Sequence, residues 1–288
     1  MRIGAIIQAR TTSTRLPKKV LKELPYGSGI TVLEQVIRRL KRSKTLDEIV
    51  VATTTNEADN PIVEIAKKEG VKYFRGSEKD VLSRYYLAAK ENNLDVVVRI
   101  TSDCPCIDWE VVDRLVETHL KEGADYTSNT LEGRTYPHGL DAEVISIKAL
   151  ERSHKEASLP HEREHVCPYI YGRGKENFKL VSVKAPPHLT APDIRITLDT
   201  EEDYALLCAV FDYLYPQKEF FKAEDIVNLF RTKPWLKLIN RKVVQKKGPL
   251  PLEEEIKEAL KVLELQELKK AKQLLEETYK GKTENGKG

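Results

Sequence analysis

Residues 2–21 read RIGAIIQARTTSTRLPKKVL, and they join a short apolar segment to a loop rich in basic and hydroxyl residues. The unbroken apolar run from Ile3 to Ile7 is typical of a strand buried on both faces, as in a parallel sheet. Four basic residues follow it: Arg10, Arg15, Lys18 and Lys19. A structural turn needs glycine or an Asx residue rather than this much positive charge. Because Arg and Lys donors match and offset phosphate oxygens, the stretch predicts a strand followed by a polyphosphate-binding loop.

The loop lacks both the Gly-x-Gly-x-x-Gly dinucleotide fingerprint and the Walker A pattern. This disfavours a dehydrogenase or an ordinary ATPase. The alternative to a phosphate site is a solvated basic loop, and the composition of the loop alone does not separate the two. The formal net charge of the whole chain is only +3, so no strong overall field selects nucleic acid as a partner. Any anion site must therefore be local.

Outward from this loop, apolar runs alternate with amphipathic stretches as far as about residue 125. The runs EIVVATT, VKYFRG and DVVVRIT read as strands, and helical spacing follows each of them. Such alternation predicts an α/β fold, with a parallel sheet covered by helices on both faces. Ligands of these sheets bind at the carboxyl ends of the strands, where the basic loop also lies. From about Tyr126 the rhythm changes to short strands of mixed direction.

The remaining composition indicates a folded protein of the cytoplasm. Its 288 residues are 40% hydrophobic, enough for one large α/β domain or two smaller ones. The four cysteines show no zinc or redox spacing, so we expect reduced, unpaired thiols. No apolar run reaches about 18 residues and no signal-peptide pattern begins the chain, so no membrane span is expected.

Two aspartates stand where strands are expected to end. Asp103 lies in RITSDCPCID after a wholly apolar strand, and Asp199 lies in RITLDTEEDY after another short strand. Mg²⁺ prefers hard oxygen ligands and commonly uses one or two carboxylates together with substrate phosphates. The alternative is that these acids cap helices, although Asp108 is better placed than Asp103 for that task. For Asp203, service to a helix N-terminus is favoured over a functional role.

Two further motifs combine polar residues with a possible pocket. Gly139, Asp141 and Glu143 precede a strand in YPHGLDAEVIS, where they form either a pocket wall or a hairpin. The segment HEREHVCPYIY carries two histidines four residues apart, but it does not match the zinc motif H-E-x-x-H. Charged helix pairs or a subunit contact explain that segment better.

These motifs, in this order, resemble those of the SpsF-like branch of the CMP-KDO and acylneuraminate cytidylyltransferase superfamily. The resemblance rests on IIQARTTSTRLPKKVL, FRGSEKDVLSRYY, RITSDCPCID, PHGLDAEV, EREHVCPYIY and RITLDTEEDY, and it covers residue 1 to about 240. It implies a three-layer αβα nucleotidyltransferase fold of the glycosyltransferase-A type, with a mostly parallel mixed sheet. The expected domain spans residues 1–245, and about 130–190 serve the acceptor side and dimerisation.

The C-terminal stretch LEEEIKEALKVLELQELKKAKQLLEETYK lies outside that resemblance. Its charge and narrow apolar stripe predict one long charged helix over about 250–280 that packs on a partner or on the domain surface. Residues 281–288 are expected to form a flexible tail.

The resemblance implies a Mg²⁺-dependent enzyme that transfers CMP from CTP to a sugar acid or related acceptor, releases pyrophosphate, and serves activated-sugar or surface polysaccharide biosynthesis. It further implies a cytoplasmic homodimer without nucleic-acid or membrane partners. Two alternatives stay open: a nucleotidyltransferase of the same fold that uses another nucleotide or a phosphorylated acceptor, and a non-catalytic nucleotide-binding or scaffold protein. No sialic-acid recognition set is apparent, so the acceptor is left open.

The resemblance also implies roles for particular residues. Catalysis is expected from Arg10, Lys19 and Asp103. Nucleotide contacts are expected from Ala9, Arg10, Arg15, Lys19, Ser77, Arg84 and Thr101. Acceptor contacts are expected from Gly139, Asp141 and Glu143. The metal ligands are expected to be Asp103 and Asp199.

Overall fold

The structure, a computed structural model, describes residues 1–243 and 252–285, and for residues 280–285 it describes the backbone alone. The chain divides after Val243 into two compact units. The first unit contains the sheet and all the residues singled out above for nucleotide, acceptor or metal binding. The second contains two helices and no strand among its described residues. No helix within residues 1–243 or 252–285 is both long and apolar enough to cross a bilayer.

The first unit is built on a seven-stranded sheet in the order β3-β2-β1-β4-β6-β5-β7. The strands are β1 (Ile3–Gln8), β2 (Glu48–Thr54), β3 (Lys72–Gly76), β4 (Val96–Thr101), β5 (Tyr126–Ser128), β6 (Glu143–Ser146) and β7 (Leu180–Ser182). Strands β1 to β4 are parallel, whereas β6 runs antiparallel to both β4 and β5. The expected mostly parallel mixed sheet is therefore confirmed.

Helices cover both faces of this sheet, which gives the expected three layers. The helices of the first unit are α1 (Val32–Leu40), α2 (Asn60–Lys68), α3 (Val81–Glu91), α4 (Trp109–Glu122), α5 (Ile147–Glu156), α6 (Pro160–His165), α7 (Pro168–Tyr171), α8 (Glu201–Leu214) and α9 (Ala223–Thr232). Alternate residues of β1 enter two separate cores: Ile7 packs with α1, α4 and α8, and Ile6 packs with α3 and α5. Because successive side chains of a strand point to opposite faces of the sheet, β1 contributes to the hydrophobic cores on both faces.

Neither of the two candidate metal ligands caps a helix in this unit. Asp108, not Asp103, caps α4, and its side chain accepts from the Glu110 backbone N–H at 2.8 Å. Thr200 caps α8 in a reciprocal pair with Asp203, so Asp203 serves the helix N-terminus as expected. Asp103 and Asp199 each stand outside the helix that follows them.

The segment before Asp199 differs from the prediction. It was expected to be a short strand, but it forms only an isolated bridge between His138 and Arg195. The reason is that the segment changes partners: Ile196 N–H donates to His138 O, and Leu198 N–H donates to Asp103 O, both at 2.8 Å. No continuous ladder forms, but the second bond brings the residue before Asp199 against Asp103.

The prediction of one long C-terminal helix is wrong, because the described residues form two helices, α10 (Leu252–Leu265) and α11 (Lys269–Asn285). The break lies at Glu267, whose left-handed φ of 56° ends the helix, while Leu268 N–H donates back to Leu263 O at 2.8 Å. Lys272 Nζ lies 3.2 Å from Glu264 Oε2 and links the two helices. Helix α11 continues to Asn285, five residues beyond the predicted end, and residues 286–288 of the predicted tail lie outside the described residues.

Candidate active site

The basic loop leaves β1 at the carboxyl edge of the sheet and is anchored at its first turn. The buried carboxylate of Asp59 accepts from the Thr11 backbone N–H at 2.7 Å and from Thr11 Oγ1 at 2.8 Å. Burial alone would raise the pKa of Asp59, but hydrogen bonds from Thr54 and Thr11 outweigh it and lower that pKa. Lys18 N–H then donates to Thr11 O at 2.9 Å and closes the loop. These hydrogen bonds give the loop a defined conformation, unlike a solvated basic loop without fixed contacts.

Lys19 occupies the centre of a cluster at this edge. Its Nζ lies 2.8 Å from Asp103 Oδ2 and 2.9 Å from Asp199 Oδ1, and it also donates to Leu198 O at 2.8 Å. The side chain is only 12% exposed. Two aspartates far apart in sequence are therefore brought onto one nitrogen atom beside the basic loop.

Asp199 is held by cations on both of its oxygen atoms. Besides Lys19, Arg15 Nη2 lies 3.1 Å from Oδ1, and Arg195 Nη2 donates to Oδ2 at 2.9 Å. Arg195 is itself fixed by Asp203, which accepts from Nε at 2.9 Å and from Nη2 at 2.8 Å. The rotamer of Asp199 is thus set from the side opposite the loop.

The charges of this cluster reinforce one another. Burial opposes the ionisation of Asp199, yet Lys19 and Arg15 outweigh it and lower its pKa to about 2. The pKa of Asp103 is also lowered, because Lys19 overcomes both burial and the neighbouring Asp199. Burial alone would lower the pKa of Lys19, but the two aspartates raise it above its ordinary value. All three groups are therefore charged at neutral pH.

The two carboxylates fit a divalent cation by chemistry and by position. They supply hard oxygen atoms, and both already reach one cationic nitrogen, which is an ammonium rather than a metal. Within residues 1–243 and 252–285, no group of three or more His, Cys, Asp or Glu side chains is arranged to hold a metal. The protein would therefore supply two ligands, and phosphates and water would have to supply the others.

Arg10 lies in a more open part of the same loop. It is 46% exposed, and its Nη1 lies 3.2 Å from Glu78 Oε1, which also accepts from Thr12 Oγ1 at 2.6 Å. Glu78 follows Ser77, whose carbonyl accepts from Arg84 Nη1 at 2.8 Å. Glu78 thus joins the loop to the segment from which nucleotide contacts by Ser77 and Arg84 are expected.

Two other predicted nucleotide contacts end neighbouring strands. Ala9 N–H donates to Ala52 O at 3.1 Å, which prolongs the pairing of β1 with β2. Thr101 pairs with Gln8 in the β1–β4 ladder, and its hydroxyl lies 3.3 Å from Cys104 Sγ. Both therefore lie at the carboxyl edge beside the loop.

The family of the chain follows from comparison with known proteins. The sequence model of a family described as "Cytidylyltransferase" matches residues 4–226. The chain belongs to the cytidylyltransferase family. The match spans the basic loop, both aspartates and all seven strands except Ile3, the first residue of β1.

Individual relatives agree with this assignment. The chain is 43% identical over 250 residues to an uncharacterized protein of Methanocaldococcus jannaschii, with 85% of this chain and 97% of the relative covered. It is 32% identical over 234 residues to the spore coat polysaccharide biosynthesis protein SpsF of Bacillus subtilis, with 80% of this chain and 94% of SpsF covered. The predicted SpsF-like resemblance is therefore confirmed.

Solved structures show the same fold. A cytidylyltransferase from Leptospira borgpetersenii superposes with a TM-score of 0.77 at 36% identity, covering 85% of this chain and 100% of that one. A CMP:2-keto-3-deoxy-manno-octonic acid synthetase solved with CTP superposes with a TM-score of 0.53 at 16% identity, covering 75% of this chain and 100% of that one. At that identity the second likeness concerns the fold alone.

The predicted acceptor residues of the chain fall into two places. Asp141 Oδ2 accepts from Arg134 Nη2 at 2.8 Å and lies 3.9 Å from His138 Nε2. His138 Nδ1 in turn lies 3.1 Å from Arg195 Nη1, which connects Asp141 to the Asp199 network. Glu143 lies apart from this network.

Glu143 is instead ion-paired with Arg99 and accepts from the Tyr126 hydroxyl. Gly139 has a packing role: its φ is +116°, and a Cβ there would lie 2.8 Å from the Ile196 carbonyl carbon. The part of these residues in acceptor binding stays a prediction.

Sequence reasoning missed two residues that shape the site. Asp59 anchors the loop, and its only signal is an acid five residues after the end of β2 in TTTNEADNP. Arg195 fixes Asp199, and its signal is a charge between Ile194 and Ile196, in a stretch where apolar residues alternate with polar ones. A charged residue in such a position requires partners.

Proposed function

We propose that this member of the cytidylyltransferase family transfers CMP from CTP to a sugar acid or related acceptor and releases pyrophosphate. The observation that carries the proposal is the convergence of Asp103 and Asp199 on Lys19 at the carboxyl edge of the sheet. Two ionised carboxylates for a metal and a cationic loop for a polyphosphate are what nucleotidyl transfer needs. SpsF is named for spore coat polysaccharide biosynthesis, and a relative from Bdellovibrio bacteriovorus, 28% identical over 215 residues, is a 3-deoxy-manno-octulosonate cytidylyltransferase; both names support CMP-sugar chemistry as the proposal.

The residues of the loop would bind and orient the triphosphate. Lys19 and Arg15 would hold the β- and γ-phosphates that depart as pyrophosphate, and Arg10 would reach them from the exposed end of the loop. Charge on the departing pyrophosphate is then offset by fixed cations in a partly buried site. No covalent enzyme intermediate is required, because the acceptor oxygen attacks the α-phosphate directly.

Asp103 and Asp199 would hold Mg²⁺, for which their oxygen atoms are suitable ligands. When bound, Mg²⁺ would polarise the α-phosphate and lower the pKa of the acceptor hydroxyl. Arg195 would keep Asp199 in the orientation that faces the substrate. Asp59 would keep the loop closed against the end of β2.

The wider context is also part of the proposal. The acceptor would lie near Asp141 and the Glu143–Arg99 pair, because Glu143 begins β6 opposite Arg99 of β4, and Asp103 follows the end of β4. A homodimer formed through about 130–190 remains our proposal for the assembly. We place the enzyme in the cytoplasm, where CTP is available.

The test is pyrophosphate release with CTP, UTP, ATP and GTP, each with a panel of sugar acids and sugar 1-phosphates in the presence of Mg²⁺. We expect turnover with CTP and a sugar acid. Asp103→Asn should reduce the rate roughly a hundredfold, equivalent to about 3 kcal/mol of lost transition-state stabilisation. Turnover only with another nucleotide or with a phosphorylated acceptor would contradict the CTP and acceptor assignments. Two results together would contradict catalysis: no pyrophosphate from any pair of nucleotide and acceptor, and no heat of binding when the protein is titrated with CTP and Mg²⁺.

A further inference from the structure

The three cations that the proposed function assigns to the triphosphate are already paired with acids of the chain. Arg10 contacts Glu78, Arg15 contacts Asp199, and Lys19 contacts both Asp103 and Asp199. Of these cations, Lys19 is the most buried and alone touches both aspartates. The free enzyme therefore holds a cluster of opposite charges at the point where substrate and metal would enter.

Lys19 Nζ and a metal ion cannot share this position. The nitrogen lies within 2.9 Å of an oxygen of each aspartate. A Mg²⁺ ion bound by the same two oxygens would lie about 2.1 Å from each of them. An ion so placed would overlap the ammonium group, or repel it at close range. Binding of a metal by Asp103 Oδ2 and Asp199 Oδ1 together thus requires Lys19 to leave.

We propose that Lys19 is a built-in placeholder for the divalent cation, which exchanges its two carboxylate partners for phosphate oxygens when metal and nucleotide arrive together. This inference rests on the proposed function, in that Asp103 and Asp199 are taken as the metal ligands. It concerns the order of binding, which that function leaves open.

The charges explain why neither ligand alone should complete the exchange. A metal ion that arrives alone must drive Lys19 away from Asp103, Asp199 and Leu198 O, leaving a partly buried ammonium without an anion. A triphosphate that arrives alone draws Lys19 away and leaves two ionised aspartates facing phosphate. Together the two ligands replace every lost pairing. A flexible lysine stem with three donors is suited to such a movement.

The consequence is positive coupling between the metal and polyphosphate sites beyond their affinity for each other in solution. The aspartates would remain closed to free divalent cations and open only to a metal–nucleotide complex. The coupling resides in one side chain, so a single substitution should abolish it.

The test is Mn²⁺ binding without any nucleotide, measured by electron paramagnetic resonance on wild type, Lys19→Met and Lys18→Met. Lys18 is the matched control, because it carries the same charge on the adjacent residue and is not among the cations that contact the two aspartates. We expect Lys19→Met to bind Mn²⁺ at least tenfold more tightly than wild type, and Lys18→Met to stay within about threefold of it. An Mn²⁺ affinity of Lys19→Met no higher than that of Lys18→Met would overturn the proposal.

Adding Asp103→Asn to Lys19→Met should remove the gain in Mn²⁺ affinity, because the ion would bind to the aspartates. A gain that survives this change would also count against the proposal. If Lys19→Met does not fold, Lys19→Gln replaces it, since the amide is neutral but still donates hydrogen bonds. As a check on the unmodified chain, anomalous scattering from wild-type crystals should show Mn²⁺ between the aspartates when pyrophosphate is added with it. A full-strength peak there with Mn²⁺ alone would overturn the exchange.

Failure of this inference is distinguishable from failure of the proposed function. If wild type transfers CMP but Lys19→Met gains no Mn²⁺ affinity, the placeholder role is wrong and the function stands. If Lys19→Met gains Mn²⁺ affinity but wild type turns over no nucleotide, the aspartates form a cation site that Lys19 occupies, and the proposed transfer reaction is wrong.

Discussion

Two cations, the partly buried Lys19 and the fully buried Arg39, show two ways in which the chain accommodates positive charge. Lys19 lies at the sheet edge with carboxylates on both sides. Arg39 lies in α1 and is fully buried, its Nη1 donating to Phe221 O at 2.7 Å and its guanidinium 4.1 Å from the Phe221 ring. Among the described residues no carboxylate forms an ion pair with Arg39, and its Nε and Nη2 have no hydrogen-bond partner.

The difference separates a charge held for exchange from a charge held for packing. Opposite charges raise the pKa of Lys19 despite burial, whereas burial dominates at Arg39 and lowers its pKa. The partners of Lys19 face a ligand edge and can be replaced by phosphate and metal. Those of Arg39 are a carbonyl and aromatic rings inside the core, which no ligand can replace. We therefore expect changes at Lys19 to affect turnover and changes at Arg39 to affect folding.

The largest expected effect is on turnover in Lys19→Met. Loss of one charge-stabilising contact to the departing pyrophosphate should lower the rate roughly a hundredfold or more, equivalent to about 3 kcal/mol. Pyrophosphate release with saturating CTP measures this. Arg39→Met, which removes the same charge elsewhere, should keep a rate within about threefold of wild type. Equal losses in the two variants would abolish the distinction between the two cations.

The next effect concerns the stability of two Arg39 variants. Arg39→Ala leaves a cavity beside Phe221 and should lower the free energy of unfolding by about 3 kcal/mol. Arg39→Met fills most of that volume and removes an unpaired buried charge, so it should stay within about 1 kcal/mol of wild type. Urea unfolding compares them. A Met variant as unstable as the Ala variant would mean that the charge itself stabilises the core.

A smaller effect on turnover is expected from Arg195, a positioning residue for Asp199. Arg195→Gln should lower kcat about tenfold, or about 1.4 kcal/mol, with little change in KM for CTP. Asn240→Ala is the control, since Asn240 contacts Asp203 and the Arg195 carbonyl but not Asp199. Matching losses in kcat for both variants would reduce Arg195 to a structural role.

The smallest effect is the acid dependence of stability. The pKa of Asp199 is about 2 in the folded protein and ordinarily 3.8, so its stabilising contribution is present above about pH 4 and is lost as the pH falls towards 2. Lys19→Met removes the main cause of this depression and should lose less stability between pH 5 and 2 than wild type. Arg39→Met should follow wild type. Denaturant unfolding at several pH values measures these slopes, and parallel curves for all three proteins would refute the electrostatic account.

The meeting of the basic loop with Asp103 could be predicted from the sequence. The roles of Arg195 and Asp59 and the helix break at Glu267 could not, for physical reasons. Parallel strands end at one edge, so a basic loop after β1 and an aspartate after β4 had to meet. Asp59 escaped because Thr11 reaches it only when distant segments of the chain pack. Arg195 escaped although Asp199 and Asp203 are close in sequence, because nothing in the sequence shows that the side chains of this irregular segment turn towards one another. The break at Glu267 escaped because no glycine or proline marks it, and a charged residue there adopts the left-handed conformation.

The most direct test of the central claim is a crystal structure of the wild-type chain with CTP and Mg²⁺. The account predicts that the triphosphate lies against Arg10, Arg15 and Lys19, that Mg²⁺ joins Asp103 to Asp199, and that Lys19 Nζ has moved onto phosphate oxygens. CTP bound at another edge of the sheet, or Lys19 still seated between the two aspartates with nucleotide present, would contradict it.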